Sequence, residues 1–140
     1  MTTRASGYSQ APYNSMNLGD HVGDAPDQVA ANRAHLQRTC AMQSVFLQQV
    51  HGAGVVRLDS GLIQASHAPQ APALQADACF TTEPGLACSI LVADCLPVLL
   101  VHTQARIVGA APAGWRGLAG QQRPGVLDAL LQAMRAALPG

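Results

Sequence analysis

Lysine is absent from this sequence of 140 residues, in which the eight Lys and Arg positions are all arginine. Its absence excludes Schiff-base formation and other lysine catalysis. Charge is also scarce, because only 11% of the residues are charged and they balance to a formal net charge of zero. Without a long-range field to attract polyanions, we expect no nucleic acid and no membrane surface among the partners. The sequence indicates no obligate protein partner either.

Long apolar runs, export signals and cysteine pairs are missing as well. No stretch reaches the roughly twenty apolar residues that a membrane-spanning helix needs, and the first residues lack the apolar centre of a secretory signal. We therefore expect a cytoplasmic protein whose four cysteines, none in a CxxC pair, are free thiols. Cys40, Cys79 and Cys88 are expected to be buried as small apolar side chains.

Apolar material for a core is plentiful, since 49% of the residues are hydrophobic. The length suits one domain over residues 1–140. Helical spacing predicts one helix from Pro26 to about Cys40, with Asp24 as its N-cap, and another over residues 124–138. Short apolar runs bounded by Gly and Pro predict strands over residues 43–51, 55–58, 76–82, 87–93, 98–102 and 106–111.

The second predicted strand is expected to pair with the first. Residues 60–75 are rich in Ala, Pro, Gln and Ser, and we expect them to form a flexible surface loop. The order of loop, helix, clustered strands and helix indicates an α/β or α+β fold. Glycine-rich phosphate loops of the GxGxxG or P-loop type are absent, which argues against a dinucleotide enzyme or an NTPase.

The candidate chemical residues lie where the predicted strands end. His51 and Cys95 could be two ligands of a catalytic zinc ion, or the base and nucleophile of a Cys–His hydrolase. Asp94 could act as an acid–base group or orient a ligand. Arg116, in a Gly-flanked turn, could bind phosphate or carboxylate through its planar fork. Spacing alone does not separate these alternatives.

Five segments occur in order along the chain: residues 17–36 (NLGDHVGDAPDQVAANRAHL), 49–52 (QVHG), 76–78 (ADA), 93–98 (ADCLPV) and 109–120 (GAAPAGWRGLAG). Together they resemble the laccase-domain family, first described as multicopper polyphenol oxidases and now as purine nucleoside phosphorylases. The resemblance covers nearly the whole chain. It implies mixed sheets packed back to back and covered by helices.

The resemblance also implies a zinc-dependent enzyme that cleaves adenosine, inosine or guanosine with phosphate, with adenosine deamination as a related activity. The family's metal ligands are the His of QVH, the Cys of ADC and the His of AHAGWRG. The first two correspond to His51 and Cys95. The third corresponds to Pro112, which has no side-chain donor. His102 is the one other strand-end histidine nearby.

By the same resemblance, Asp94 would lie near the metal, and Arg4 and Arg116 would bind phosphate beside the purine nucleoside. Copper is the less favoured metal, since one His–Cys site lacks the histidine clusters of a multicopper enzyme. Two alternatives stay open. One is a catalytically impaired remnant that lacks the third ligand, and the other is a Cys-dependent peptidoglycan-editing amidase using Cys95. The resemblance further implies that the chain is incomplete, because family members have a strand before it and a C-terminal part after it.

Overall fold

The computed structural model describes residues 2–66, 71–114 and 124–138. The chain divides into two compact units, residues 1–44 and residues 45–140. The first unit holds one helix. The second holds two sheets and, within the described ranges, two further helices.

The first unit consists of a long irregular segment followed by helix α1, Pro26–Cys40. The predicted helix is confirmed, and Pro26 occupies its first turn, where the missing N–H costs nothing. The N-cap prediction was wrong, because the capping position is Ala25 and no side chain caps the helix. The Asp24 carboxylate instead accepts hydrogen bonds from the Ala25 N–H and the Asn17 amide. The helix ends where Ala41 adopts a left-handed conformation, with φ 51°.

Asn32 holds the irregular segment of this unit in place. It is fully buried in α1, and its Oδ1 accepts the Tyr8 N–H at 2.7 Å. Its Nδ2 donates to Ser9 Oγ, to Ser15 O and to Asn17 O at 2.8–3.1 Å. Both the oxygen and the nitrogen of this buried amide are therefore hydrogen-bonded. These polar bonds hold the irregular segment, which has few apolar side chains in the core.

The second unit is built on a four-stranded sheet of order β2-β3-β6-β5, accompanied by a two-stranded sheet of order β1-β4. Strands β2 and β3 are parallel, whereas β3–β6 and β6–β5 are antiparallel. The prediction of mixed sheets with helices is confirmed. The elements are β1 Gln43–Phe46, β2 Val55–Leu58, α2 Ser60–Ser66, β3 Ala78–Thr81, β4 Leu86–Ser89, β5 Leu96–His102, β6 Ile107–Ala113 and α3 Val126–Ala136.

Two apolar clusters cover the two faces of β3, all four residues of which are buried. Side chains alternate along a strand, so Ala78 and Phe80 pack against α3, where Leu130 and Met134 meet them. Cys79 points the other way into a second cluster. This inter-sheet cluster also contains residues from β1, β2 and α2, namely Val45, Leu58 and Ile63.

Gly109 of β6 allows α3 to approach the sheet closely. A Cβ at this position would lie 2.9 Å from Met134 Sδ and 3.2 Å from Leu130 Cδ1. Both side chains belong to the cluster beneath α3. The absence of a side chain at residue 109 therefore sets how closely helix and sheet pack.

Three predictions about the middle of the chain were wrong. The strand predicted over residues 43–51 ends at Phe46, and β2 pairs with β3 rather than with β1. The predicted flexible loop over residues 60–75 begins with helix α2, whose Ile63 is 5% exposed. Burial of Ile63 in the inter-sheet cluster and the packing of Leu62 against it stabilise this short helix, and the Asp59 carboxylate accepts the Leu62 N–H at 2.8 Å in its first turn.

The other expectations can also be checked within the described ranges. No helix there is long and apolar enough to cross a membrane. The four cysteines are free, as predicted, but Cys40 is exposed rather than buried, Cys79 is buried and Cys88 is half-buried. Strand β5 forms one edge of its sheet, and Leu96, Leu99 and Val101 on it are 66–69% exposed.

Replacing Asn32 by alanine is expected to lower the free energy of unfolding by at least about 2 kcal/mol, because its partner groups lose their hydrogen bonds. Asn32→Asp should also destabilise the protein, since a carboxylate cannot donate to Ser9, Ser15 and Asn17. Urea denaturation of both variants measures the change, with the exposed Arg38→Gln in the same helix as control. Equal unfolding midpoints for Asn32→Ala and the control would contradict this role.

Candidate functional site

His51 lies at the tip of a turn that a buried carboxylate holds in shape. Its backbone is left-handed, with φ 59°, which is costly for a residue other than glycine. The Asp77 side chain, 1% exposed, accepts the Val50 N–H at 2.8 Å through Oδ1 and the Gly52 N–H at 2.9 Å through Oδ2. These two charge-assisted bonds, on either side of His51, stabilise the strained turn. The exposed imidazole is thereby presented to solvent.

Gly52 makes this carboxylate bridge possible. A Cβ at residue 52 would lie 3.1 Å from Asp77 Oδ2, which is closer than an ordinary van der Waals contact. The sequence QVHG thus contains its glycine because the carboxylate approaches the backbone there. Asp77 itself directly precedes β3, so the turn is positioned by the most buried strand of the sheet.

Gln49 joins the His51 turn to the segment that leads to Cys95. Its Oε1 accepts the Leu91 N–H at 2.9 Å, and its Nε2 donates to Leu91 O at 3.2 Å. The side-chain amide pairs with the backbone of Leu91 as a neighbouring strand would. Leu91 is three residues before Asp94 and four before Cys95, so Gln49 of the QVH motif is hydrogen-bonded to the chain just before the ADC segment.

Asp94 and Cys95 form a bend immediately before β5. Asp94 is exposed, whereas Cys95 is half-buried. A Cβ at Gly114, just after β6, would lie 2.9 Å from Cys95 Sγ. The thiol therefore packs against the backbone at the end of β6, and Gly114 leaves room for it.

Pro112 lies within β6, two residues before Gly114, and its Cα is paired with that of Pro97 in β5. The position that corresponds to the family's third metal ligand is therefore at the same end of the sheet as Cys95. The residue there is proline, whose side chain has no donor atom. A proline is tolerated because β5 and β6 can leave this one opposed pair without backbone hydrogen bonds.

His102 cannot take the place of the missing ligand. It ends β5, as predicted, and pairs with Ile107 at the far end of the β5–β6 hairpin. At about 3.3 Å per residue, it lies roughly 20 Å from Leu96, the residue after Cys95. Its Nδ1 accepts the Ala105 N–H at 3.1 Å, so the imidazole closes the tight turn between the strands.

Of the two arginines predicted to bind phosphate, the structure describes Arg4. Arg4 belongs to the first unit, where its Nε and Nη2 both donate to Asn14 O at 3.1 and 2.9 Å. Its backbone carbonyl accepts hydrogen bonds from Ser15 and Met16. The loop geometry thus fixes the guanidinium plane. Arg116 lies outside the described residues.

The donor set present does not fit the three-ligand zinc site that the resemblance implies. Within residues 2–66, 71–114 and 124–138, no three His, Cys, Asp or Glu side chains are grouped so that they could hold a metal ion. His51 and Cys95 supply two donors, whereas catalytic zinc sites use three protein ligands and keep one position for water. Proline stands at residue 112, the position to which the resemblance assigns the third ligand.

The chain belongs to the family described as multi-copper polyphenol oxidoreductase laccase, whose model matches residues 1–139. Curated relatives carry a different name. A purine nucleoside phosphorylase of Pseudomonas aeruginosa is 42% identical over 134 residues, which cover 96% of this chain and 50% of the relative. The purine nucleoside phosphorylase YfiH of Escherichia coli is 44% identical and matches 84% of this chain and 46% of its own length.

Solved structures confirm the fold. A Neisseria meningitidis protein superimposes with a TM-score of 0.79 at 40% identity, over 96% of this chain and 50% of that protein. YlmD of Geobacillus stearothermophilus gives a TM-score of 0.74 at 38% identity, over 85% of this chain and 46% of YlmD. The chain therefore spans about half the length of the relatives that it matches.

Sequence reasoning missed the two residues that organise the site. Asp77 and Gln49 both lie inside recognised motifs, ADA and QVHG, yet neither was given a role. The available signal was chemical: an acidic residue beside a strand that begins with three apolar residues needs partners, and a Gly after His51 marks a close approach. Which backbone groups they meet depends on tertiary contacts between segments far apart in sequence.

Asp77→Asn is expected to lower the free energy of unfolding by about 1–3 kcal/mol, because an amide can accept only one of the two backbone N–H groups. Hydrogen exchange of the Val50 or Gly52 amide should accelerate. Asp128→Asn, an exposed change in α3, is the matched control and should leave both amides protected. Unchanged protection at residues 50 and 52 in Asp77→Asn would refute the carboxylate bridge.

Proposed function

We propose that this chain carries the site of a purine nucleoside phosphorylase in a form impaired at the third metal-ligand position. Relatives that are 42–46% identical carry this name. The observation that supports the proposal most strongly is the double link around His51. Asp77 fixes the turn, and Gln49 joins it to the segment before Asp94 and Cys95.

Phosphorolysis of a nucleoside replaces one bond to the ribose by another. A phosphate oxygen forms a bond to C1′ while the bond from C1′ to the purine nitrogen breaks, and the departing base keeps the electron pair and takes a proton. The reaction therefore needs cationic groups that hold phosphate and an acid near the base. Arg4 and Arg116 are proposed for the first task and Asp94 for the second.

His51 and Cys95 are proposed as the two remaining ligands of a family metal site. An imidazole and a thiolate form the donor set that zinc prefers, while copper oxidases need further histidines. Two donors without a third hold an ion weakly, so no step of the reaction is assigned to zinc in this chain. The substrates proposed are adenosine, inosine and guanosine with phosphate, and adenosine deamination is the related activity to assay.

The impaired state has its own supporting observation, the proline at residue 112. If the loss of the third ligand abolishes chemistry, the chain keeps the fold and the two linked motifs but turns over no nucleoside. A cysteine-dependent amidase would need a base beside Cys95. His51 is the candidate for that base, so the amidase and the metal site compete for the same two residues.

Pro112→His is expected to raise zinc content. Loss of one supporting contact already costs about 10–100-fold in metal affinity, so restoring a ligand should raise affinity by at least that factor. Elemental analysis and zinc titration of the purified chain measure the change. His102→Asn serves as control, because that histidine lies at the far end of β5, and its zinc content should equal that of the unmodified protein. One tightly bound zinc per unmodified chain would overturn the assignment of Pro112.

Activity is tested by incubating the unmodified chain and Pro112→His with inosine or adenosine and phosphate. Free base and ribose 1-phosphate above background in the unmodified chain would establish phosphorolysis. Product from Pro112→His alone would show that the chain is an impaired member whose site can be restored. Absence of product from both, with zinc bound stoichiometrically by Pro112→His, would refute the proposed activity of this chain.

A further inference from the structure

Two cysteines from facing strands meet in the inter-sheet cluster, away from His51 and Cys95. Cys79 of β3 is 0% exposed and is part of that cluster. Cys88 of β4 is half-buried and packs against the same cluster. One of the pair is therefore closed to solvent, and the other can be reached from outside.

Strand periodicity explains why the two side chains face each other. On β3, Ala78 and Phe80 face α3, so Cys79 between them faces the two-stranded sheet. On β4, Leu86 and Cys88 both contact the inter-sheet cluster, as residues two apart on a strand must.

The position of the Cys88 sulfur agrees with this arrangement. The Cys88 thiol donates to Val108 O at 3.7 Å, and Val108 is paired with Thr81 in the β3–β6 ladder. The sulfur of Cys88 therefore lies against β6, the strand that is hydrogen-bonded to β3.

The two thiols differ in acidity. The hydrogen bond between them, followed by burial, raises the pKa of Cys79 well above its usual range. The same hydrogen bond lowers the pKa of Cys88, although partial burial opposes it. Cys88 is consequently both the more acidic and the more accessible thiol, which is the combination that reacts first with an oxidant.

We propose that Cys79 and Cys88 form a redox-sensitive pair that a peroxide converts into an intramolecular disulfide. The Cys88 thiolate attacks one peroxide oxygen, the O–O bond breaks, and with one proton the products are a sulfenic acid and water. The Cys79 thiol then displaces the hydroxyl group, which leaves with the thiol proton as a second water. Two electrons pass from the sulfurs to the peroxide, and one S–S bond forms.

The bond would join the two sheets close to the candidate site. Strand β4 ends at Ser89, two residues before Leu91, whose backbone pairs with the Gln49 side chain. Oxidation would therefore restrain the segment that leads to Asp94 and Cys95. The inference depends only on Cys79 and Cys88, and it holds whether or not the chain turns over nucleosides.

The test is peptide mapping of the folded chain after exposure to hydrogen peroxide and alkylation of free thiols. Cleavage before Asp77 and Asp94 releases residues 77–93, which contain Cys79 and Cys88 but neither of the other cysteines. We expect this peptide to resist alkylation and to be lighter by two hydrogens. A further cut after Phe80 should leave two fragments joined until a reductant is added.

Cys40→Ser, which removes the exposed thiol, is the matched control and should give the same linked fragments. Cys88→Ser should lose the link and leave Cys79 unmodified by peroxide, since the buried thiol has no other route to oxidation. Three results on the wild-type chain would each overturn the proposal: Cys88 linked to Cys95 or Cys40, Cys88 oxidised to a sulfinic acid beside a free Cys79, or no change at either residue.

Discussion

The carboxylate of Asp77 is the group on which the candidate site depends. A buried negative charge is costly unless polar partners surround it, and here the two backbone N–H groups on either side of His51 provide them. The interaction works in both directions: the turn stabilises the charge, and the charge stabilises a left-handed histidine that the backbone alone would disfavour. Because Asp77 directly precedes the buried β3, the packed centre of the sheet holds the backbone turn that carries the exposed His51 imidazole.

The same sheet also positions Cys95, which directly precedes β5 at the other edge of the sheet. Cys95 packs beside Gly114 where β5 begins and β6 ends. The Gln49 side-chain amide, two residues before His51, pairs with the backbone of Leu91, which follows the end of β4. The site is thus assembled from strand termini and short turns on a packed scaffold, which is where proteins usually place chemistry.

The sequence allowed the fold class, helix α1 and strand β2 to be predicted, because local periodicity and punctuation determine them. It did not allow β2 to be paired correctly. Strand β2 pairs in parallel with β3, and Leu58 and Cys79 of these strands share the inter-sheet cluster. That cluster joins residues far apart in sequence, so a local pattern does not reveal it. Helix α2 was missed for a related reason, since its Ile63 and Leu62 are held by that same cluster. Motif resemblance proposed His51 and Cys95, whereas Asp77 and Gln49 act through contacts with the Val50, Gly52 and Leu91 backbone that sequence spacing does not reveal.

Two prolines, Pro97 in β5 and Pro112 in β6, oppose each other in the sheet, and this pairing bears on the cost of a substitution at residue 112. Proline has no N–H, so two of them can face each other only where an antiparallel ladder exchanges no hydrogen bonds. The β5–β6 ladder therefore loses no hydrogen bond to the proline at residue 112. Histidine and proline codons can differ by a single base, so the exchange tested above is one mutational step that leaves this ladder intact. Under the proposed function, a single ladder position would separate a chain with three metal ligands from a chain with two.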